Sequence, residues 1–337
     1  MTLDNGSPKY EFIEDDWKTI DGFKVMRIRA LRDFSDVKKG EVGGYLQSER
    51  NLSQRGNAWV RDLATVIGDA FVGDQATVSD CVLLRDSATA TGRARIYKYA
   101  QLHGKSSVSG NAQVGDCARL EDAARVSNFA LVYGNAIISG NAKVEDGARV
   151  FGNARVGENA AVFDNALVYG EAKVTGGSHV CDDAYVCGRS FISGYARIYD
   201  QAAVIDMASV TGSAKIQQDA VIGDFACVSG KAQVMGTSNI RGRAQVKDYA
   251  KIYGAVEIVD FATVSGDANV GGAAIIGGNA VVEGSSAIWG CPIIQGHANI
   301  CGHAVIYQNV TIDGNAVIDS EDALEKHIGS ARPAPAG

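Results

Sequence analysis

Val132-Tyr133-Gly134-Asn135-Ala136-Ile137 is one unit of a six-residue period that runs from Val60 to Ile318 without losing phase. Every sixth residue from Val60 makes 44 positions, and all are Val, Ile or Leu except Ala90. The position two residues earlier, from Ala58 to Ala316, is Ala or Ser except at Val82, Val256, Pro292 and Val310. Two phased interior positions in a short fixed period are the signature of a solenoid. The aliphatic residue points inward from a short strand, and the next residue points outward. Gly or Asp then makes the corner, because both tolerate left-handed backbone. The small residue points inward at the corner, where Ala or Ser fits. Three hexads close a triangular coil of 18 residues, and the run holds about fifteen coils stacked at ~4.8 Å.

Composition agrees with this and excludes several alternatives. The chain has 337 residues, 40 Gly and only 4 Pro, which is neither collagen-like nor Pro-rich disorder. A net charge of −7 argues against a nucleic-acid binder, which needs a basic footprint. The start, MTLDNGSPKYEF, has no apolar core of a signal peptide, and no 18-residue apolar run occurs, so no membrane partner and a cytoplasmic location are expected. Seven Cys with no CxxC form no disulfide framework. Cys181, Cys187, Cys227 and Cys301 fall at outward positions and Cys81, Cys117 and Cys291 at corners, which fits a reducing compartment.

The ends break the period. Residues 1 to about 12 read as a frayed start. Trp17 to Leu31, with an Asp21-Gly22 turn, reads as a β-hairpin by its period-two alternation. A solenoid needs its first coil covered, so 1–50 is assigned as an N-terminal cap and 51–319 as the repeat. Ser320 to Ile328 reads as an N-capped helical turn that lids the last coil, and 331–337 as a disordered tail.

The pattern [VI]-x-[GD]-x-[AS]-x resembles the isoleucine-patch hexapeptide repeat of the left-handed β-helix acyltransferase superfamily. Arg32-Asp33-Phe34-Ser35-Asp36-Val37-Lys38-Lys39-Gly40, Gly43-Gly44-Tyr45 and Asn51 to Val60 resemble the YdcK-type transferases more particularly. The resemblance covers essentially the whole chain. It implies an all-β, left-handed parallel β-helix, acyl-CoA as donor to an unspecified acceptor, and a homo-oligomer, with a trimer favoured. Left-handedness comes from the resemblance, since the general crossover rule favours the right hand.

Residues 18 apart stack, so the outward columns can be read by arithmetic. One face carries Leu131 and Tyr133, then Phe151, Leu167 and Tyr169, Tyr185, Ile205 and Val221. Such a ladder either stabilises its own coils or covers a partner. The second reading is preferred, because soluble monomers rarely expose continuous apolar bands. A second face mixes Phe163, Tyr199 and Tyr253 with Lys143, Arg197 and Lys251 and suits cation–π pairs. The third face, with Thr175, Ser193 and Thr211, reads as solvent surface.

Acyl transfer in the resembling superfamily uses His as general base. His103 stacks between Arg85 and Glu121, and a carboxylate neighbour orients an imidazole and raises its pKa. His103 with Glu121 is therefore the first choice, and His179 beside Cys181 the second. Both also fit an ordinary surface ladder. His297 and His303 replace the usual corner Asn on different sides of the triangle, and His327 sits in the C-terminal cap. No third ligand stacks near them, so no metal is expected. Acyltransferases on this scaffold generally extrude a loop to shape the active site, and here the period passes without an insertion. Two readings stand: an acyl-CoA-dependent acyltransferase, and a non-catalytic structural or protein-binding solenoid that self-associates through its apolar face.

Overall fold

A computed structural model describes residues 8–307, 309–321 and 323–325. The protein is a parallel β-solenoid, and its coils fall into two compact units, Met1–Asn165 and Ala166–Gly337. A two-residue strand recurs every six residues, from Trp59–Val60 to Ala161–Val162 in the first unit and from Leu167–Val168 to Val317–Ile318 in the second. Within each unit a strand pairs in parallel with the one 18 residues on. Thr77 lies opposite Arg95 and Arg95 opposite Gln113 in the first unit. Tyr185 lies opposite Ala203 and Ala203 opposite Val221 in the second.

The inward set is as the period predicts. Val78, Ile96, Val114, Ala76, Ala94 and Ala112 are fully or almost fully buried. Ala90 is buried at an aliphatic place, and Val82 and Val256 are buried at small ones. Four of the buried Ser differ in how they are satisfied. Ser178, Ser238 and Ser286 donate to the carbonyl three residues back at 2.6, 2.7 and 2.6 Å. The Ser106 hydroxyl is buried with no hydrogen-bond partner.

The corner chemistry goes further than conformational tolerance. Asp62, Asp74, Asp80, Asp86, Asp116 and Asp122 all take φ between 54° and 59° at one hexad position. Their carboxylates also accept the backbone N–H of the same corner in the next coil. Asp74 Oδ2 accepts from Gly92 at 2.9 Å, Asp80 from Lys98 at 2.8 Å and Asp86 from Gly104 at 2.9 Å. Asp200, Asp224 and Asp260 repeat the bond in the second unit, each at 2.9 Å. A corner Asp thus shapes its own turn and satisfies a backbone donor of the coil stacked on it.

The cap occupies the head of the first unit. Strand β1, Tyr10–Ile20, pairs antiparallel with β2, Phe23–Ala30, across the expected Asp21-Gly22 turn. Strand β3, Val42–Leu46, joins β2 to the first coil, with Tyr45 opposite Thr65. Gly43 is required by this close approach, since a Cβ there would lie 2.7 Å from Trp59 Cζ2. The frayed start is corrected at its end: Lys9 and Tyr10 are buried. The Tyr10 hydroxyl donates towards the carbonyls of Leu52 and Glu49, at 3.1 and 3.2 Å, and Lys9 Nζ donates to that of Ala58 at 2.9 Å. Those carbonyls have no preceding coil to bond to, and these side chains take its place. Residues 1–7 lie outside the described set.

At the other end, Glu321 and residues 323–325 are helical, and Ala323 N–H donates to Ser320 Oγ at 3.4 Å, the cap the sequence implies. Leu324 is buried. His327 and the expected tail, 331–337, lie outside the described residues.

Candidate functional site

His103 follows the strand Gln101–Leu102 and points outward, in register with Arg85 one coil before and Glu121 one coil after. The backbone fixes this ladder: Arg85 N–H donates to Leu102 O at 3.0 Å and His103 N–H to Leu120 O at 2.8 Å. The electrostatics run opposite to the expectation from Glu121. Burial first, and then the Arg85 guanidinium, lower the His103 pKa; Asp86 and Glu121 pull it up but are outweighed. The imidazole is half-buried, uncharged at neutral pH, and its Nε2 is enclosed with no hydrogen-bond partner. Neutral imidazole has the proton affinity of a base. In this conformation the enclosed nitrogen faces protein.

The hairpin turn lies over this ladder. Asp21 Oδ2 accepts from Arg85 Nη1 at 3.0 Å, and Ile20 and Leu83 pack against a core of Val25, Tyr45 and Ile67. This stretch of the face is therefore partly covered by the cap.

His179 belongs to the second unit, on the strand His179–Val180, opposite Arg197. Burial and the Arg197 charge lower its pKa as well. His297 and His303 are exposed at corners, as the period places them.

The apolar ladder is present in each unit and is half-buried in both. In the first, the rings of Tyr133 and Phe151 stack 4.9 Å apart and nearly parallel, with Leu131 beside them. In the second, Leu167 lies opposite Tyr185, and Tyr169, Ile205 and Val221 are half-buried. A hydrogen bond with the Cys187 thiol, with burial, pushes the Tyr169 hydroxyl up to about 12. Larger exposed apolar groups stand at corners, which the face-by-face reading passed over. Phe129 is 66% exposed in the first unit; in the second, Arg243 lies between the exposed rings of Phe225 and Phe261, 5.6 and 5.9 Å from their centroids.

The sequence reading also missed a cleft of about 670 Å³ in the first unit. Its floor is the registered row Thr77, Arg95 and Gln113. Its near side is the corner column Gln75, Arg93 and Asn111, and its wall is Ser35 and Asp36 of the cap. The wall exists because the Phe34 ring packs edge-on against Trp59 at 5.4 Å, and Phe34 and Val37 bridge to close a turn with Ser35 at φ 48°. Runs of polar outward residues gave the only signal for it, and such runs are common.

All seven cysteines are free thiols. Among the described residues no helix is long and apolar enough to cross a membrane. No family model matches the sequence, and no curated protein matches it. A solved structure of Arabidopsis UDP-N-acetylglucosamine acyltransferase is similar over 60% of this chain and 70% of that one, at 17% identity and a TM-score of 0.29. Its activity is a property of that protein.

Proposed function

We propose that this chain is a self-associating β-solenoid that works by binding, in the cytoplasm, and not by catalysis. One observation carries the reading: the outward columns of both units hold apolar side chains that the coils only half bury. What the coils present outward is a ladder of half-buried apolar side chains, Leu131, Tyr133 and Phe151 in one unit and Leu167, Tyr169, Tyr185, Ile205 and Val221 in the other. A second copy covers such a surface at lower cost than solvent does. A trimer is the assembly that the hexapeptide-repeat resemblance favours. The test is Tyr133→Glu with Phe151→Glu, followed by mass from light scattering. Dissociation to a monomer is expected. An unchanged mass, or a wild-type protein already monomeric, overturns the reading.

A second reading is favoured by the uncharged His103 in register with Glu121. As an acyl-CoA-dependent acyltransferase of the YdcK type, His103 would take the proton from an acceptor hydroxyl or amine. The acceptor would form its new bond to the thioester carbonyl, and coenzyme A would leave as the thiol. His179 is the alternative base. Acetyl-CoA at millimolar concentration then raises the melting temperature; an unmoved melting curve counts against it.

A further inference from the structure

We infer that the cap-walled cleft of the first unit is a binding site for a small phosphate-bearing ligand with a planar group attached. Three observations converge on it.

The first is unbalanced charge. Arg93 and Arg95 stand two residues apart on the cleft lining, both exposed. The Arg95 guanidinium makes no hydrogen bond or ion pair with any described residue, and the registered neighbours Thr77 and Gln113 are uncharged. Arg93 Nε donates only to Gln75 Oε1, at 3.3 Å. The one carboxylate on the lining, Asp36, is already held by Arg61 Nη2 at 2.7 Å, and Arg61 also binds Glu41 at 3.0 Å. Asp74, beside the Arg93 corner, spends Oδ2 on the Gly92 N–H at 2.9 Å. A chain of net charge −7 thus keeps two guanidinium groups without acid partners in one concavity whose carboxylate, Asp36, is paired with Arg61. Guanidinium forks match phosphate oxygens in geometry and charge.

The second is the surrounding chemistry. Asn57, Gln75, Asn111 and Gln113 line the same space with amide groups that both donate and accept. Phe129 continues the Arg93 column at the rim and is 66% exposed. A large ring left in water above a polar cleft is a platform on which a planar group stacks.

The third is construction. The outward face of a coil is flat, and this one becomes a cleft only because the Phe34–Val37 turn is clamped over Trp59. Ser35 sits on the wall with φ 48°, a conformation unfavourable for Ser and held by its surroundings. The volume, about 670 Å³, suits a small molecule rather than a polymer.

The test uses the full chain and two probes, inorganic pyrophosphate and ADP, by isothermal titration calorimetry. Saturable binding of both is expected, with ADP the tighter. Arg95→Gln and Arg93→Gln should each weaken both probes at least about tenfold, at an unchanged melting temperature. Phe129→Ala should weaken ADP and leave pyrophosphate unchanged. No saturable binding of either probe at millimolar concentration overturns the site, as does binding that Arg95→Gln leaves intact. Equal affinity for the two probes overturns the planar group. Neither result bears on self-association, which is read by mass.

Discussion

Asp21 Oδ2 lies 3.0 Å from Arg85 Nη1, which fastens the hairpin turn to a residue 64 positions later in the chain. The bond holds the hairpin down along the coils, where Lys18 Nζ sits 3.8 Å from the centre of the Tyr45 ring. It also brings an anion to the guanidinium that opposes the charging of His103. Both partners are partly exposed, so the pair itself contributes no more than about 1 kcal/mol.

Arg85→Gln should therefore raise the His103 pKa towards its ordinary value, read by following the imidazole carbon-bound proton through an NMR titration. In the native protein the folded pKa of His103 lies below the unfolded one. Unfolded chain then binds the proton that the folded chain refuses, so His103 lowers stability as pH falls from about 6.5 towards its folded pKa. Arg85→Gln should narrow that loss. An imidazole that titrates identically in the two proteins would show that burial alone sets its pKa.

Two serines at equivalent inward positions should respond in opposite senses. Ser106 buries an unbonded hydroxyl, so Ser106→Ala should stabilise by roughly 1 kcal/mol. Ser178 donates to Thr175 O at 2.6 Å, so Ser178→Ala removes a made bond and leaves a carbonyl with one partner fewer. It should destabilise by about 1 kcal/mol. Urea midpoints of the two variants give the comparison, and shifts in the same direction would refute it.

At the corners, Asp200→Ala should cost about 1–2 kcal/mol, from a Cβ residue without a polar side chain in left-handed backbone and from the lost bond to Gln218 N–H. Asp200→Gly relieves only the backbone part and should fall between Ala and wild type. Acid should act on the same ties. The Gly104 N–H holds the Asp86 carboxyl below its ordinary range, so its contribution is present above that range and is lost as pH falls through the folded pKa. Denaturant midpoints should drop between about pH 5 and 3, and a flat profile would contradict the tie.

Lys9→Met should stabilise the cap. Burial, with the Arg32 charge, brings the Lys9 pKa down to about 8. Below that pH the folded state carries a charge in an enclosed site, and stability rises as pH climbs from about 8 towards the unfolded value. Met fills the same space without the charge, so a gain of roughly 1–3 kcal/mol is expected at about pH 7, less whatever the Ala58 carbonyl loses. The gain should shrink by about pH 10. A melting temperature that falls at neutral pH would mean the bond to Ala58 outweighs burial.

The coils were legible because interior packing admits only two residue sizes at two phases, so counting alone picks out the buried Ile96 and Leu102. What lay beyond reach involves groups that the period does not constrain. The Asp74 carboxylate could be read as a corner former, but its acceptor role appears only once the next coil is stacked on it. Tyr45 pairs with Thr65, a step of 20 rather than 18, so counting could not place the cap on the first coil. Without that placement neither the cover over Arg85 nor the cleft above Arg95 could be foreseen. Glu121 does pull the His103 pKa up, as its place in the column implies, but a column gives neighbours and not burial, and burial is the larger influence on His103.

Because the coil-to-coil bonds in the second unit join residues one coil apart, as Ser209 N–H to Ala226 O and Cys227 N–H to Ala244 O do, length there is a quantised variable. Removing residues 209–226 would leave each remaining strand facing an equivalent partner, with inward and outward faces preserved. Removing six would rotate every later face by one side of the triangle, and removing one would turn the aliphatic row outward. Lengthening or shortening by 18 residues thus changes the number of coils and keeps every remaining face in register.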